Sequence, residues 1–445
     1  MSTSAGLGQR LRGMSSDQAT RLALLFGVIY FVQGIGEPTT GLISQPTKSL
    51  LRSWGLGAEE IAGFMLVVGF PWYIKPFFGL FTDFMPILGS RRKSYLLLST
   101  MVAALGLILA GVMDLPHGST TLLMILLLLP CAGVAFTDVV ADALMVEKGQ
   151  PLGLTGRLQS VQWGALYTAG ILTGVIGGFL SEHKLQQLGF IICGALTLVT
   201  FTIALLVVKE DRTAKIDAAS AKATLRVTWS TIRNGYIVPV AIFLFLLNFN
   251  PFSSDVLYVH MTEAMGLSEQ FVGNTYSVGS VASILGCVVY GAVAPRIKLR
   301  PLIHISLVTM VLCSLGYWGL SGEVSAMVIA ALVGFFYMIT TLVQLDMAAR
   351  YCPPESAGTV FALLMSLSNL SVSLSSRVGG GWYEGWKADW GAERTFDVLV
   401  AIGAGFTAAC WLMLLILPKD KEGDDGASGD AKGDEGSPAP EADAA

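Results

Sequence analysis

Charged residues are scarce in this sequence. Aspartate, glutamate, lysine and arginine make up 13% of its 445 residues, whereas 53% are hydrophobic and the mean hydropathy is +0.63. A soluble globular chain carries about 25% charged residues, so this composition excludes an ordinary soluble protein. The fifty glycines follow no collagen repeat. Long hydrophobic runs recur along the chain, and the sequence therefore predicts an all-α, multi-pass membrane protein.

Cysteine and histidine are also few, at six and four residues. The sequence has no CxxC pair, no His–Cys cluster and no HExxH motif. We therefore expect no disulfide framework, no metal site and no other cofactor. The phosphate-binding motif Gly-x-x-x-x-Gly-Lys-Ser/Thr is absent too, which disfavours ATP as an energy source.

The formal charge of −4 conceals unequal parts of the chain. Residues from Lys419 onward carry −6, and the rest of the chain carries +2. This balance excludes a nucleic-acid-binding protein, for which a strong basic patch is expected. The acidic tail is rich in Gly, Ala, Ser and Pro, a composition that predicts a disordered segment.

Twelve segments are apolar enough to cross a bilayer, which takes about 20 residues each. They are 21–43, 60–82, 94–113, 120–145, 157–181, 186–208, 233–260, 269–294, 301–320, 324–348, 358–383 and 394–417. The predicted organisation is an N-tail (1–20), an N-terminal six-helix bundle (21–208), a linker (209–232), a C-terminal six-helix bundle (233–417) and an acidic C-tail (418–445).

Lysine and arginine are distributed unequally among the predicted loops. With the amino terminus in the cytoplasm, the segments on that side hold 21 of these residues and the opposite loops hold 5. Because basic residues accumulate in cytoplasmic loops, we expect both termini in the cytoplasm. The expected location is a bacterial inner membrane.

The two halves repeat single residues at a constant offset. Arg21 and Arg233 open the first and seventh spans, 212 residues apart, and Gly79 and Gly291 close the second and eighth at the same offset. Two parallel repeats of six helices are the architecture of major-facilitator transporters. The sequence therefore predicts that fold.

Three blocks carry a more specific resemblance. The first, 71–96, contains GLFTD followed by RRK; the others are GVAFTDVVADAL at 133–144 and CPPESAGTVFALLMSLSN at 352–369. Together they resemble the folate–biopterin transporter family of the major facilitator superfamily, over about residues 20–417. The resemblance implies a twelve-helix carrier of folates or pterins that is coupled to protons.

Ionisable groups inside spans are candidate functional residues, because each costs about 2.5–3.5 kcal/mol to insert at a helix centre. Asp138 and Asp142 are four residues apart and share one face of the fourth span. Lys75 is predicted at the same depth as Asp138, so the two can pair. The pair is either a fixed structural contact or part of proton coupling, for which Asp138 is a candidate.

A second group of charges lies near the predicted cytoplasmic end. Its acids can pair with basic residues in one conformation and separate in another, which is the behaviour of a conformational latch. The predicted latch residues are Asp83, Arg91, Arg92, Asp142 and Arg157.

Proline interrupts two spans at corresponding places. Glu37 directly precedes Pro38 in the first span, and Pro251 interrupts the seventh between Asn248 and Asp255. Paired breaks in the two halves point to a binding site near the membrane midplane. The breaks could instead act as gating kinks, with an acid facing a water-filled vestibule. Glu37 is the first candidate for a proton carrier.

Arg377 lies in the eleventh span, eight residues after Asn369. An arginine fork binds a carboxylate through two hydrogen bonds, and the folates implied by the resemblance carry a glutamate tail. We therefore expect Arg377 to contact substrate. The alternative is an ion pair with Asp346 or Asp255.

A flat heteroaromatic substrate needs aromatic walls and amide or acid partners. Gln159, Trp163 and Tyr167 follow at four-residue spacing and can line one wall, although ordinary helix packing is an alternative. The predicted substrate-binding residues are Glu37, Lys75, Gln159, Trp163, Asn248, Asp255, Asn369 and Arg377.

The sequence thus predicts a secondary active transporter for folates or pterins, driven by protons and working by alternating access. Its expected partners are the substrate, protons and the lipid bilayer. One alternative is a carrier of another small organic anion. A different class of alternative is a lipid scramblase or an intramembrane enzyme, but an enzyme would need a nucleophile–base pair or metal cluster that the sequence does not offer.

Overall fold

The computed structural model describes residues 3–210, 216, 218–233, 237–352 and 357–415. Within these ranges the chain is helical and contains no β-strand; the single bridge joins Ile87 to Ser90. The predicted acidic tail lies outside the described residues.

The α-helices follow one another with short connections. In chain order they are α1 (Thr3–Gly36), α2 (Ser44–Ser53), α3 (Ala58–Val68), α4 (Phe70–Tyr73), α5 (Lys75–Phe84), α6 (Lys93–Val112), α7 (Thr120–Gly149), α8 (Thr155–Glu182), α9 (Gln186–Leu206), α10 (Ala218–Arg233), α11 (Val238–Asn248), α12 (Ser254–Val259), α13 (Glu269–Val293), α14 (Leu299–Gly316), α15 (Glu323–Tyr351), α16 (Ala357–Trp390) and α17 (Ala392–Met413).

Ten helices of the described chain are long and apolar enough to cross a membrane. This finding confirms the predicted helical membrane fold, but twelve uninterrupted spans are not present. The segment predicted as the second span is divided into α3, α4 and α5, and the seventh into α11 and α12. The physical reason in the second span is proline: Pro71 and Pro76 lie in the first turns of α4 and α5, where a missing N–H costs nothing.

Two further boundaries differ from the prediction. The helix of the first span already begins at Thr3, within the predicted N-tail, and ends at Gly36 rather than at residue 43. The predicted linker contains a helix, α10, which is basic in its last turn through Arg233.

The two halves are α1–α9 and α11–α17. The end of the bundle where α9 and α17 finish is called the terminal face, and the end that carries α2 and the beginnings of α3 and α13 is called the far face. The largest hydrophobic cluster contains residues of both halves, for example Phe64 and Val256. The two other clusters each belong to one half, around Tyr30 and around Phe243.

Glycine lets α8 of the first half approach α13 of the second near the far face. A Cβ added at Gly174 would lie 2.5 Å from the carbonyl oxygen of Gly273, and one at Gly170 would lie 2.8 Å from Ser280 Oγ. These distances leave no room for a side chain, so Gly174 lets the backbones of the two halves touch and Gly170 makes room for the Ser280 side chain.

Candidate functional site

Glu37 stabilises the loop between α1 and α2 through hydrogen bonds. Its buried carboxylate accepts hydrogen bonds from the backbone N–H groups of Thr39, at 2.9 Å, and Thr40, at 2.5 Å. The hydroxyls of both threonines and the indole N–H of Trp72, at 3.2 Å, also donate to it. A carboxylate has about four acceptor positions, so Glu37 uses its hydrogen-bonding capacity to hold the break.

The interruption between α11 and α12 is held by amide side chains. The Asn250 carboxamide oxygen accepts the N–H of Phe252 at 3.0 Å, and Asn248 donates to Gln344 Oε1 of α15 at 3.1 Å. Gln344 in turn donates to Ser368 of α16 at 3.2 Å. Asn248 is therefore part of a polar chain that connects three helices of the second half.

A polar cluster lies inside the first half. The Lys75 ammonium pairs with Asp138, which also accepts a hydrogen bond from Gln33 Nε2 at 2.6 Å. The predicted Lys75–Asp138 contact is thus present. One turn along α7, Asp142 accepts hydrogen bonds from the Tyr30 hydroxyl at 2.5 Å and from Gln162 at 3.1 Å.

Some of the ion pairs expected among the predicted latch residues are present at the terminal face. The Arg92 guanidinium contacts Asp83 at 2.7 Å and Glu147 at 2.6 Å, and it donates to Thr82 Oγ1 at 3.1 Å. Asp142 contacts no arginine of this group; its Oδ1 accepts hydrogen bonds from Tyr30 and Gln162 instead.

Arg91 and Arg157, the other predicted latch residues, form no ion pair with a described residue. Arg91 takes part through its backbone, whose N–H donates to Glu210 at 2.8 Å. Arg157 is exposed at the start of α8.

Glu210 caps the start of α6 at the same face. Its carboxylate accepts the N–H groups of Arg91, Arg92 and Lys93 and the hydroxyl of Ser90, the latter at 2.6 Å. Although burial raises the pKa of this carboxyl, the hydrogen bonds from Ser90 and the three N–H groups outweigh burial, and its pKa lies below the ordinary value.

The ion pairs that join the two halves within the described chain all lie at the far face. Lys48 of α2 contacts Asp255 of α12 at 2.6 Å, and Asp255 also accepts a hydrogen bond from Ser376 at 2.5 Å. Arg52 contacts Glu263 at 3.1 Å. These contacts hold the halves together beside the shared hydrophobic cluster.

Arg377 belongs to the same face. It pairs with Glu59 of α3, not with Asp346 or Asp255. Asp346 is paired with Arg350 at 3.1 Å on its own helix, α15. The sequence-based alternatives for the partner of Arg377 were therefore wrong, because α16 packs against α3 of the other half.

The predicted aromatic wall faces the opposite half. The Trp163 and Tyr167 rings stack with 6.1 Å between centroids, and the Tyr167 hydroxyl lies 2.8 Å from Met338 Sδ of α15. Gln159 continues this face and is exposed, and Asn369 is exposed on α16. Asn369 lies eight residues, about two turns, before Arg377 on α16.

Sequence reasoning missed the partners at the far face and around Asp142. Lys48 and Arg52 are four residues apart, so they share a face of a short helix, and that spacing was a usable signal. For Glu59, Glu263 and Tyr30 the sequence carries no comparable signal, since their roles arise from contacts between distant segments.

Comparison with known proteins identifies the family of this chain. The family model described as the BT1 family matches residues 39–433. The chain belongs to the BT1 family. The folate–biopterin transporter resemblance of the three sequence blocks is thereby confirmed, and the chain is a transporter of this family.

This BT1 family member is similar to two curated transporters. It is 29% identical to the folate-biopterin transporter of Synechocystis sp. over 370 residues, which cover 79% of this chain and 72% of that protein. It is 26% identical to probable folate-biopterin transporter 4 of Arabidopsis thaliana over 487 residues, covering 93% and 98%.

Solved structures confirm the fold. The nucleoside transporter NupG superposes with a TM-score of 0.68 at 13% identity, covering 89% of this chain and 99% of that one. The D-xylose-proton symporter gives a TM-score of 0.67 at 13% identity, covering 88% and 97%. At this identity the likeness shows a shared major-facilitator fold.

Proposed function

We propose that this BT1 family member is a secondary active transporter that moves folates or pterins by alternating access and is coupled to protons. The observation that carries this proposal is the arrangement of charges between two halves. Ion pairs join the halves at the far face, while near the terminal face each half has its own hydrophobic cluster. A protein that opens alternately to its two sides needs separable contacts of this kind.

The proposed orientation places the terminal face in the cytoplasm of a bacterial cell. The unequal distribution of lysine and arginine between the loops supports it. In this orientation the described conformation is closed towards the outside, and the inner ends of the halves are the ones free to separate.

The proposed substrate site lies between the halves and uses predicted residues from both of them. Trp163 would stack on a pterin ring, with Gln159 and Asn369 as polar partners. Arg377 would exchange Glu59 for a substrate carboxylate, because its guanidinium can donate hydrogen bonds to either carboxylate. Lys75 would supply the second positive charge.

Three predicted residues receive narrower proposed roles from the same geometry. Glu37 would fix the break between α1 and α2, Asn248 would orient Gln344, and Asp255 would close the far face with Lys48. Of the two acids predicted to couple protons, Asp138 lies beside Lys75 in the polar cluster of the first half, and this cluster is the proposed place of proton coupling.

Uptake into proteoliposomes tests the proposal. Labelled folate, labelled pterin and an unrelated organic anion are offered with and without an inward-directed pH gradient. The proposal expects folate or pterin to accumulate in response to the gradient. Equal uptake of all three compounds would support the alternative of a general organic-anion carrier, and uptake that ignores the gradient would remove proton coupling.

A further inference from the structure

The polar cluster of the first half contains more acid than base. Asp138 and Asp142 lie one turn apart on α7, and the Lys75 ammonium contacts Asp138. Asp142 receives its two hydrogen bonds from neutral groups, the hydroxyl of Tyr30 and the amide of Gln162. Two carboxyls therefore share one ammonium group.

The helices around this cluster bring mostly uncharged groups to it. From α1, Tyr30 and Gln33 face the cluster, and both are neutral. From α8 the facing group is the neutral amide of Gln162. From α5 it is Lys75, which also lies 4.9 Å from the centre of the Trp72 ring.

Of the other helices that pack against α7, α3 and α4 contain no basic residue. Helix α6 meets this stretch of α7 through uncharged groups, with Ser99 hydrogen-bonded to Thr137 at 2.7 Å. Within the described chain, Lys75 is therefore the one basic side chain at this pair of acids, and the acid that it contacts is Asp138. Like charges one turn apart in a low-dielectric environment repel strongly, and adding one proton removes the excess.

The two acids differ in their access to water. Asp138 is buried, with both oxygens engaged by Lys75 and Gln33. Asp142 is partly exposed, and both of its hydrogen bonds end on Oδ1. Its second oxygen, Oδ2, accepts no hydrogen bond from a described residue and is free to take a proton.

We infer that Asp142 is the proton-binding site of this transporter and that the proton adds to Oδ2 while Asp138 stays paired with Lys75. The inference rests on the proposed proton-coupled function and makes it specific. The proton is taken from a hydronium ion and is later released to water as hydronium again, so no other reactant takes part. The sequence had suggested Asp142 as a latch residue instead.

The position of Asp142 connects the proton to the proposed substrate wall. Its charged form strengthens the hydrogen bonds from Tyr30 on α1 and Gln162 on α8. Gln162 directly precedes Trp163, which stacks on Tyr167. Protonation weakens these two hydrogen bonds, and it thereby loosens α1 and α8 from α7 at the level of the wall.

Infrared spectroscopy of the purified full-length protein tests the site without any substrate. The wild type should show a protonated-carboxyl band that titrates with pH. Asp142→Asn should lose this band, while Asp346→Asn, the matched control on α15, should keep it. A band that persists in Asp142→Asn would overturn the inference.

A second variant keeps the carboxyl in place. Tyr30→Phe retains Asp142 but removes its 2.5 Å hydrogen bond, so the band should remain and change its frequency. An unchanged frequency would contradict the assignment of the band to Asp142.

Transport separates this inference from the proposed function. In proteoliposomes, Asp142→Asn should still exchange labelled folate across the membrane at equal pH, but it should lose accumulation driven by a pH gradient. Accumulation equal to that of the wild type would overturn the proton site. A wild type that ignores the gradient would refute the proposed coupling, and the infrared band alone would then decide whether Asp142 binds a proton.

Discussion

Removing the Lys48 side chain should open the far face. Lys48 and Asp255 are paired at 2.6 Å with side chains only 12% and 7% exposed, so Lys48→Ala leaves an unpaired buried carboxylate. Breaking a buried pair in this way costs about 3–5 kcal/mol. Because the pair joins the two halves, this cost falls on the conformation in which the far face is closed.

The hydrogen bond from Ser376 to Asp255 remains in the variant, so the expected cost is the lower value, about 3 kcal/mol. Each 1.4 kcal/mol corresponds to a factor of about ten, and the population with an open far face should therefore rise about 100-fold. The Arg377–Glu59 pair is a graded comparison. Both of its side chains are 41% exposed, so Glu59→Ala should cost at most about 1 kcal/mol, or about fivefold.

The assay is the labelling rate of a cysteine placed at Val256, which is fully buried in the cluster shared by both halves. A membrane-impermeant thiol reagent should label it about 100-fold faster in Lys48→Ala. Lys184→Ala, in an exposed loop at the far face, should leave the rate unchanged. The double variant Lys48→Ala/Asp255→Ala also removes the unpaired carboxylate and should restore slow labelling. Equal rates in Lys48→Ala and Glu59→Ala would refute this account of the far face.

Three further predictions concern separate parts of the molecule. Gly174→Ala forces a methyl group to within 2.5 Å of the Gly273 carbonyl oxygen, and should lower the free energy of unfolding by about 1–3 kcal/mol in chemical denaturation; Gly164→Ala, which meets open space, should not. The lowered pKa of Glu210 means that its contribution to stability is present above the ordinary carboxyl pKa and is lost as the pH falls through the lower folded value. Thermal melts at decreasing pH should show this loss, and Glu210→Gln should remove it. Arg377→Ala should raise the folate concentration needed for half-maximal uptake more than Arg377→Lys does, and uptake equal to the wild type in both would remove this residue from the site.

The helix breaks could be predicted because their chemistry is local. Proline lacks an N–H and clashes with the preceding turn, so Pro38 and Pro251 marked the ends of α1 and α11 within a few residues. The same rule applied to Pro71 and Pro76 would have divided the second span. The mean hydropathy of that segment concealed the break, since it registers composition and not hydrogen bonding.

Contacts within one half were partly predictable, and contacts between halves were not. Lys75 and Asp138 were matched by depth, because two neighbouring spans share one length scale. Arg377 forms an ion pair with Glu59, and Asp255 with Lys48, across the interface between the halves. Their choice depends on how α16 and α12 pack against α3 and α2, which no spacing within the sequence records.

Of the contacts expected in the latch, one was predictable from the sequence and another was not. Asp83 and Arg92 lie on either side of one short loop, and they meet as expected. Asp142 was expected beside arginine because of its depth. Instead it faces Tyr30, since the side of α7 on which it lies packs against α1 and α8.

Proton-driven accumulation of substrate is the most direct test of the proposed transport function. Sealed proteoliposomes containing the purified protein are given labelled folate or pterin outside and an inward-directed proton gradient. The internal concentration should rise above the external one and should fall back when a protonophore collapses the gradient. An internal concentration that only equals the external one, with or without the gradient, would contradict the proposal.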